Sequence, residues 1–154
     1  PDVLIFESAP LENDTEVTGR IVVKLWVSSS ALDTDFTVKI VDVAPANQDY
    51  PLGYAMNIVD SVLRMRYRNS WEKEELLQPG TIYPIEITLA PTSNLFQKGH
   101  KIRLDISSSN FPRLDVNPNT GEPVGKHTHL TTAENTIHFG ADYPSAVYLP
   151  VVQS

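Results

Sequence analysis

The sequence predicts an all-β fold, an antiparallel sandwich or barrel. Two observations carry this. Apolar residues recur at every second position in several separate runs, the mark of half-buried strands. Turn-forming residues separate these runs at short spacing, with no long helical pattern between them.

Taken in order, 3–6 is a first strand-like run. The chain opens almost inside it and lacks an initiator Met, which reads as a piece cut from a longer protein. Val17, Ile21, Val23, Leu25 and Val27 are apolar, with Glu16, Thr18, Arg20, Lys24 and Ser28 between them. Phe36, Val38 and Ile40 alternate with Thr37 and Lys39, and Leu63, Met65 and Tyr67 with Arg64, Arg66 and Arg68. Short helices are expected at 71–77 and 93–97, the second capped by Ser93. Tyr83, Ile85, Ile87 and Leu89 form the next run, and Pro84 within it removes a ladder donor, which places the strand at an edge or bulge. Ile102, Leu104 and Ile106 follow, then a short run at 136–139, and Val147, Leu149 and Val151 close the chain. Turn signals are Asn13-Asp14, residues 44–47, Gln78-Pro79-Gly80 and Lys98-Gly99.

The 154 residues fit one domain, 1–154, large enough for a proper core. A net charge of −7 argues against nucleic acid and against an anionic membrane surface as partners. No apolar run is long enough to span a bilayer. The first residues carry an acid and no basic stretch, so no secretion signal is read there. The compartment stays open, with the cytoplasm favoured. Cysteine is absent, which excludes disulfides, thiolate metal sites and a Cys nucleophile.

Four groups of residues invite chemistry. Ser107, Ser108 and Ser109 form a run, but no G-x-S-x-G elbow exists, and they read as hydroxyls bonding a strand end. Gly121, His127, His129, Glu134 and Gly140 come within one residue of the first cupin motif, which would hold iron or manganese on a jelly roll. The second motif has no counterpart, and the histidines read as exposed polars. Arg64, Arg66 and Arg68 could grip a carboxylate, but read as a solvated strand face paired with Glu86 or Asp105. Asp33, Asp35 and Asp42 read as turn caps rather than a calcium site. Trp26 and Trp71 could stack on sugar rings or meet another domain. No catalytic residue, metal ligand or cofactor is assigned.

The stretch at 107–125 is a long loop for a compact domain. Pro112, Pro118 and Pro123 stiffen it, and Phe111, Leu114 and Val116 argue that it has a shape.

Several phrases carry a resemblance: ALDTDFTVKIVDVAP, SVLRMRYRNSWEKEELLQPGTIYPIEITLAPTSNLFQKGHKIRLDISSSNFPRLDVNPNTG and TIHFGADYPSAVYLPVV. With them the chain resembles the C-terminal, non-catalytic domain of the X-prolyl dipeptidyl-peptidase and cocaine-esterase family of serine hydrolases. The likeness runs from Asp2 to about Val152; Asp60-Ser61 departs from the Asp-Gly common in relatives. The resemblance implies a jelly-roll β-sandwich, similar to galactose-binding-like modules. It implies an α/β-hydrolase catalytic domain in the same parent chain, holding a Ser–Asp–His triad that acts on acyl esters, amides or X-Pro dipeptides. No triad residue maps onto this sequence. The chain would brace that domain, shape the active-site entrance and support a homo-oligomer. On this reading 107–121 is a docking surface: Asn110, Arg113, Asp115 and Asn119 hydrogen-bond the catalytic domain while Phe111 and Leu114 fill gaps. A rigid solvent loop is the plainer alternative. A carbohydrate-binding sandwich and a cupin-like metalloprotein are the readings from other classes.

Overall fold

The computed structural model describes residues 2–153. Among the described residues, ten strands form three antiparallel sheets. The first sheet has the order β1 (Leu4–Glu7), β8 (Lys101–Ser107), β4 (Asp35–Ala44), β5 (Tyr54–Arg64). In the second, β3 (Val22–Ser29) pairs β6 (Tyr83–Thr88) along one side. Along its other side lie β10 (Ala146–Tyr148), opposite Val22 to Lys24, and β9 (Asn135–His138), opposite Trp26 to Ser29. A two-stranded ribbon joins β2 (Thr15–Gly19) to β7 (Thr92–Phe96).

The two larger sheets face each other across one core. Val23, Leu25 and Val27 of β3 and Ile85 and Ile87 of β6 meet Phe36, Val38 and Ile40 of β4, with Leu63 and Ile106 beside them. The expected all-β sandwich is the architecture observed. Each fully buried aliphatic or phenyl side chain stabilises it by roughly 1.5–3 kcal/mol relative to exposure. Pro84 sits opposite Trp26 on β6, which lies at the edge of its sheet as expected.

The period-two run from Val17 to Val27 is two strands, not one. Gly19 ends β2 at φ +136°, with Pro150 packed 3.1 Å from where a Cβ would lie. Such backbone favours glycine, and the chain then crosses to another sheet.

Four expectations are corrected. No helix forms at 71–77: Leu77 is buried there, its N–H bonded to Leu32 O at 2.8 Å. Residues 93–96 belong to β7, and Ser93 Oγ lies 2.9 Å from Thr18 Oγ1 across the ribbon instead of capping a helix. Pairing with β2, which buries Val17 and Phe96, outweighs the weak local helix preference. The strand through Leu63 ends at Arg64, and Met65–Tyr67 is a 3₁₀ turn. There the backbone N–H groups of Met65 and Arg66 donate to Thr34 O and Asp33 Oδ1, each at 2.9 Å, which pulls the chain off the ladder. The last strand stops at Tyr148, before Pro150, and Val151 makes an isolated bridge to Val17.

β4 is buried on both faces. Its even residues from Phe36 to Ile40 enter the core, while Asp35 and Thr37 on the reverse face are also covered. The cover is the long loop, which folds back over the outer face of the first sheet. Its Asn117 Nδ2 donates to Asp35 Oδ1 at 2.7 Å, while Thr37 Oγ1 meets Ser107 Oγ of the neighbouring β8 at 2.5 Å.

Candidate docking interface

The loop is pinned at three places. Near its start, Asn110 Nδ2 donates to Asp60 Oδ2 at 3.3 Å and Arg113 Nη1 pairs with Asp60 Oδ1. In the middle, the Asn117 amide donates to Asp33 Oδ2 at 2.9 Å and to Asp35. Further on, Asn119 adopts φ +64°, and its Nδ2 donates to Thr131 O at 2.8 Å, holding the two limbs of the loop together. Asn110, Arg113 and Asn119 are therefore engaged with their own domain. Phe111 is 71% exposed at the tip, Asp115 is exposed and Leu114 half-buried.

Beneath the loop lies a charge network. Asp33 is fully buried and Arg66 is 2% exposed. Arg66 Nε donates to Asp33 Oδ2 at 2.7 Å, Nη1 to Glu74 Oε2 at 3.3 Å, and Nη2 to Glu122 O at 2.9 Å. Arg64 grips Asp35 through two bonds of 2.9 Å. That hydrogen-bonded pairing raises the Arg64 pKa further, against the opposing effect of burial. Arg68 donates to Glu75 and lies over the Tyr83 ring at 4.5 Å. The arginines are thus not a solvated face paired with Glu86 or Asp105. Asp33 and Asp35 are the acceptors of this network, not turn caps, and Asp42 Oδ1 meets His100 Nδ1 at 2.8 Å. Asn117, which carries no charge and no periodic signal, is the residue the sequence did not single out for this role.

Residues 1–148 match the family model of the X-Pro dipeptidyl-peptidase C-terminal non-catalytic domain. The chain belongs to this family. A cocaine esterase of a Rhodococcus species is 42% identical to it, over 99% of this chain and 26% of its own length. Two solved structures superpose with a TM-score of 0.92 at 31% identity, again over 99% of this chain and 26% of theirs. They are an aminopeptidase from a marine sediment archaeon, Thaumarchaeota archaeon, and an α-amino acid ester hydrolase. The chain spans about a quarter (26%) of the length of the relatives it matches.

In this member of the X-Pro dipeptidyl-peptidase C-terminal family the cupin-like triplet does not assemble. Among the described residues no three His, Asp or Glu side chains converge on a metal-sized site. His127 and His129 are exposed, and His129 Nδ1 approaches Glu122 at 3.8 Å rather than Glu134. Trp26 is half-buried, edge-on to Tyr143 at 5.5 Å between centroids. Trp71 is 79% exposed. Among the described residues, no helix is long and apolar enough to cross a membrane.

Glu122 fastens the far limb of the loop. It accepts from Thr128 N at 3.1 Å, Thr128 Oγ1 at 2.9 Å and Thr120 Oγ1 at 2.9 Å. The Thr128 backbone N–H, followed by the two hydroxyls, holds its carboxyl below the ordinary Glu value of 4.5. A depressed folded value means the anchor is in force above the ordinary range and is lost as pH falls through that value. On acidification below 4.5, the Thr128 amide proton should move to its free position and exchange faster. NMR of that amide checks this; a shift unchanged until global unfolding contradicts it.

Proposed function

We propose that this chain is an accessory domain that braces an α/β-hydrolase catalytic domain of the acyl ester, amide or X-Pro dipeptidyl-peptidase type. The family match over residues 1–148 carries the reading, because the family is by its description non-catalytic. Coverage of 26% of the relatives' length supports the presence of a catalytic domain in the same parent chain. Pairing between whole parent chains, giving a homo-oligomer, belongs to the same reading. The strand order supports the finer jelly-roll reading: of the pairings in the two main sheets, β4·β5 alone joins strands consecutive in sequence.

The loop supports docking in a particular form. Its hydrogen-bonding arms turn inward and hold Phe111 outward on a stiffened tip, with Asp115 nearby. A preordered apolar knob loses little entropy on contact. The partner surface it fits is an apolar recess, with Leu114 closing the rim.

Phe111→Ser in the intact parent tests this. Removing a buried anchor from an interface costs on the order of 1–2 kcal/mol. The expected result is a lower melting midpoint and faster proteolysis between domains, with the isolated chain's own midpoint unchanged, since Phe111 there faces solvent. An intact parent indifferent to the substitution defeats the docking role.

A further inference from the structure

The two main sheets fail to close along one side. Among the described residues β1 pairs only with β8, at the edge of the first sheet, and β9 pairs only with β3. The free edges of β1 and β9 face each other, with Phe6 and Phe139 in edge-to-face contact at 5.6 Å. Between them is a hollow of about 650 Å³ whose walls include Leu4, Phe36, Ile106 and Ile137. A second, of about 460 Å³, continues it past Phe6 and Phe139.

Three features mark this seam as unfinished. First, its floor is core: Phe36, Ile106 and Ile137 belong to the buried cluster. Second, Leu4 and Phe6 lie opposite Ile106 and Leu104, so they project to the core side of the sheet. They are nevertheless 44% and 39% exposed. Inward-facing apolar residues that remain open lack a layer above them, because protein interiors are close-packed. Third, the backbone of β1 has unused bonds. Ser8 N donates to Ile102 O at 3.0 Å. The antiparallel alternation then turns Leu4 and Phe6 toward β8, and Ile5 and Glu7 toward the open side. Sheet edges are ordinarily blunted by charge, proline or a bulge; here Leu4, Ile5 and Phe6 run consecutively.

The occupant follows from where the rest of the parent lies. The family is a C-terminal domain, and this chain spans 26% of its relatives, so their remaining length is chiefly upstream. Asp2 and Val3 stand in the wall of the larger hollow, so an upstream chain enters at the seam itself. We propose that an extended segment of the parent chain preceding residue 1 adds to the free edge of β1 and fills the seam. It would carry apolar residues at alternate positions over about four residues, or roughly 13 Å. This inference rests on the accessory-domain reading but concerns a different surface from the Phe111 loop.

Amide hydrogen exchange on the intact parent and on the 154-residue chain tests it. The Ile5 and Glu7 amides should exchange at least about tenfold more slowly in the parent, at every concentration. Equal rates in the two proteins would overturn the proposal. So would protection that appears in the isolated chain only as its concentration rises, which would assign the seam to a second copy. Protection around Phe111 reads the docking contact separately. A protected seam with an unprotected loop removes the docking role and leaves this inference standing, and the reverse removes this inference alone. If the isolated chain does not fold, Phe6→Asp in the parent decides. Its midpoint should fall by about 5 °C or more, while the fully exposed control Leu52→Asp should leave it in place; a neutral Phe6→Asp is fatal.

Discussion

Asp33→Ala should destabilise the domain by about 3–5 kcal/mol in urea unfolding. Asp33 accepts from the Arg66 backbone N–H, from Arg66 Nε and from Asn117 Nδ2, and it is fully buried. Removing its carboxylate leaves the guanidinium of Arg66 nearly without water and short of its main counterion. Glu74 and Glu122 O still touch Arg66, but Glu74 is half exposed and its pull is screened. The Arg66 backbone N–H loses its acceptor, costing about 1–3 kcal/mol if it stays dry, while Asn117 Nδ2 keeps its bond to Asp35. Set against a total stability of roughly 5–15 kcal/mol, the loss takes a large share. Replacing both Asp33 and Arg66 with apolar residues should recover only part of it, because the backbone N–H of residue 66 and one of the two Asn117 amide hydrogens remain unpaired. The exposed pair Lys101–Glu7 provides the contrast: Glu7→Gln should cost less than about 1 kcal/mol. An Asp33→Ala loss as small as that would mean water reaches Arg66, and that the network does not hold the loop.

The same network shows how far the sequence could be read. Alternation was enough for β3 and β6, where one face meets the core and the other is more open. It failed where tertiary bonds redirect the chain. Arg64, Arg66 and Arg68 keep a perfect period of two, yet the strand ends beneath them because Thr34 O and Asp33 Oδ1 take the backbone N–H groups of Met65 and Arg66. Period alone cannot tell a solvated arginine from one drawn inward by a carboxylate some thirty residues away in sequence. The ribbon strand β7 is invisible for a related reason. Its residues have little strand preference, and only β2, distant in sequence, makes them one.

The long loop was legible in part. Three prolines and the apolar Phe111, Leu114 and Val116 foretold a shaped segment, and the structure gives it one. The direction of its polar residues was not legible. Asn110 and Arg113 reach Asp60, and Asn117 reaches Asp33 and Asp35, because the outer face of the first sheet presents acceptors there. A surface rich in asparagine and arginine can serve an outside partner or its own scaffold, and composition is the same in both cases.

Phe36→Ala carries the second large effect. Phe36 is among the largest fully buried apolar side chains, on an inner strand of the first sheet and at the floor of the seam. Truncating a buried phenyl costs about 3–5 kcal/mol, the sum of lost transfer energy and the void left behind. For a domain of this size that lowers the melting midpoint by roughly 8–16 °C. The two parts of the cost behave differently in the two proteins. In the isolated chain the new void joins a hollow already open to water, so solvent can relax into it. In a parent whose seam is filled, the void is sealed, and its penalty of about 24 cal/mol per Å³ is kept in full. The substitution should therefore cost more in the parent than in the isolated chain, when each is referred to its own wild type by calorimetry. A smaller cost in the parent would mean that the hollow above Phe36 remains open to water there as well.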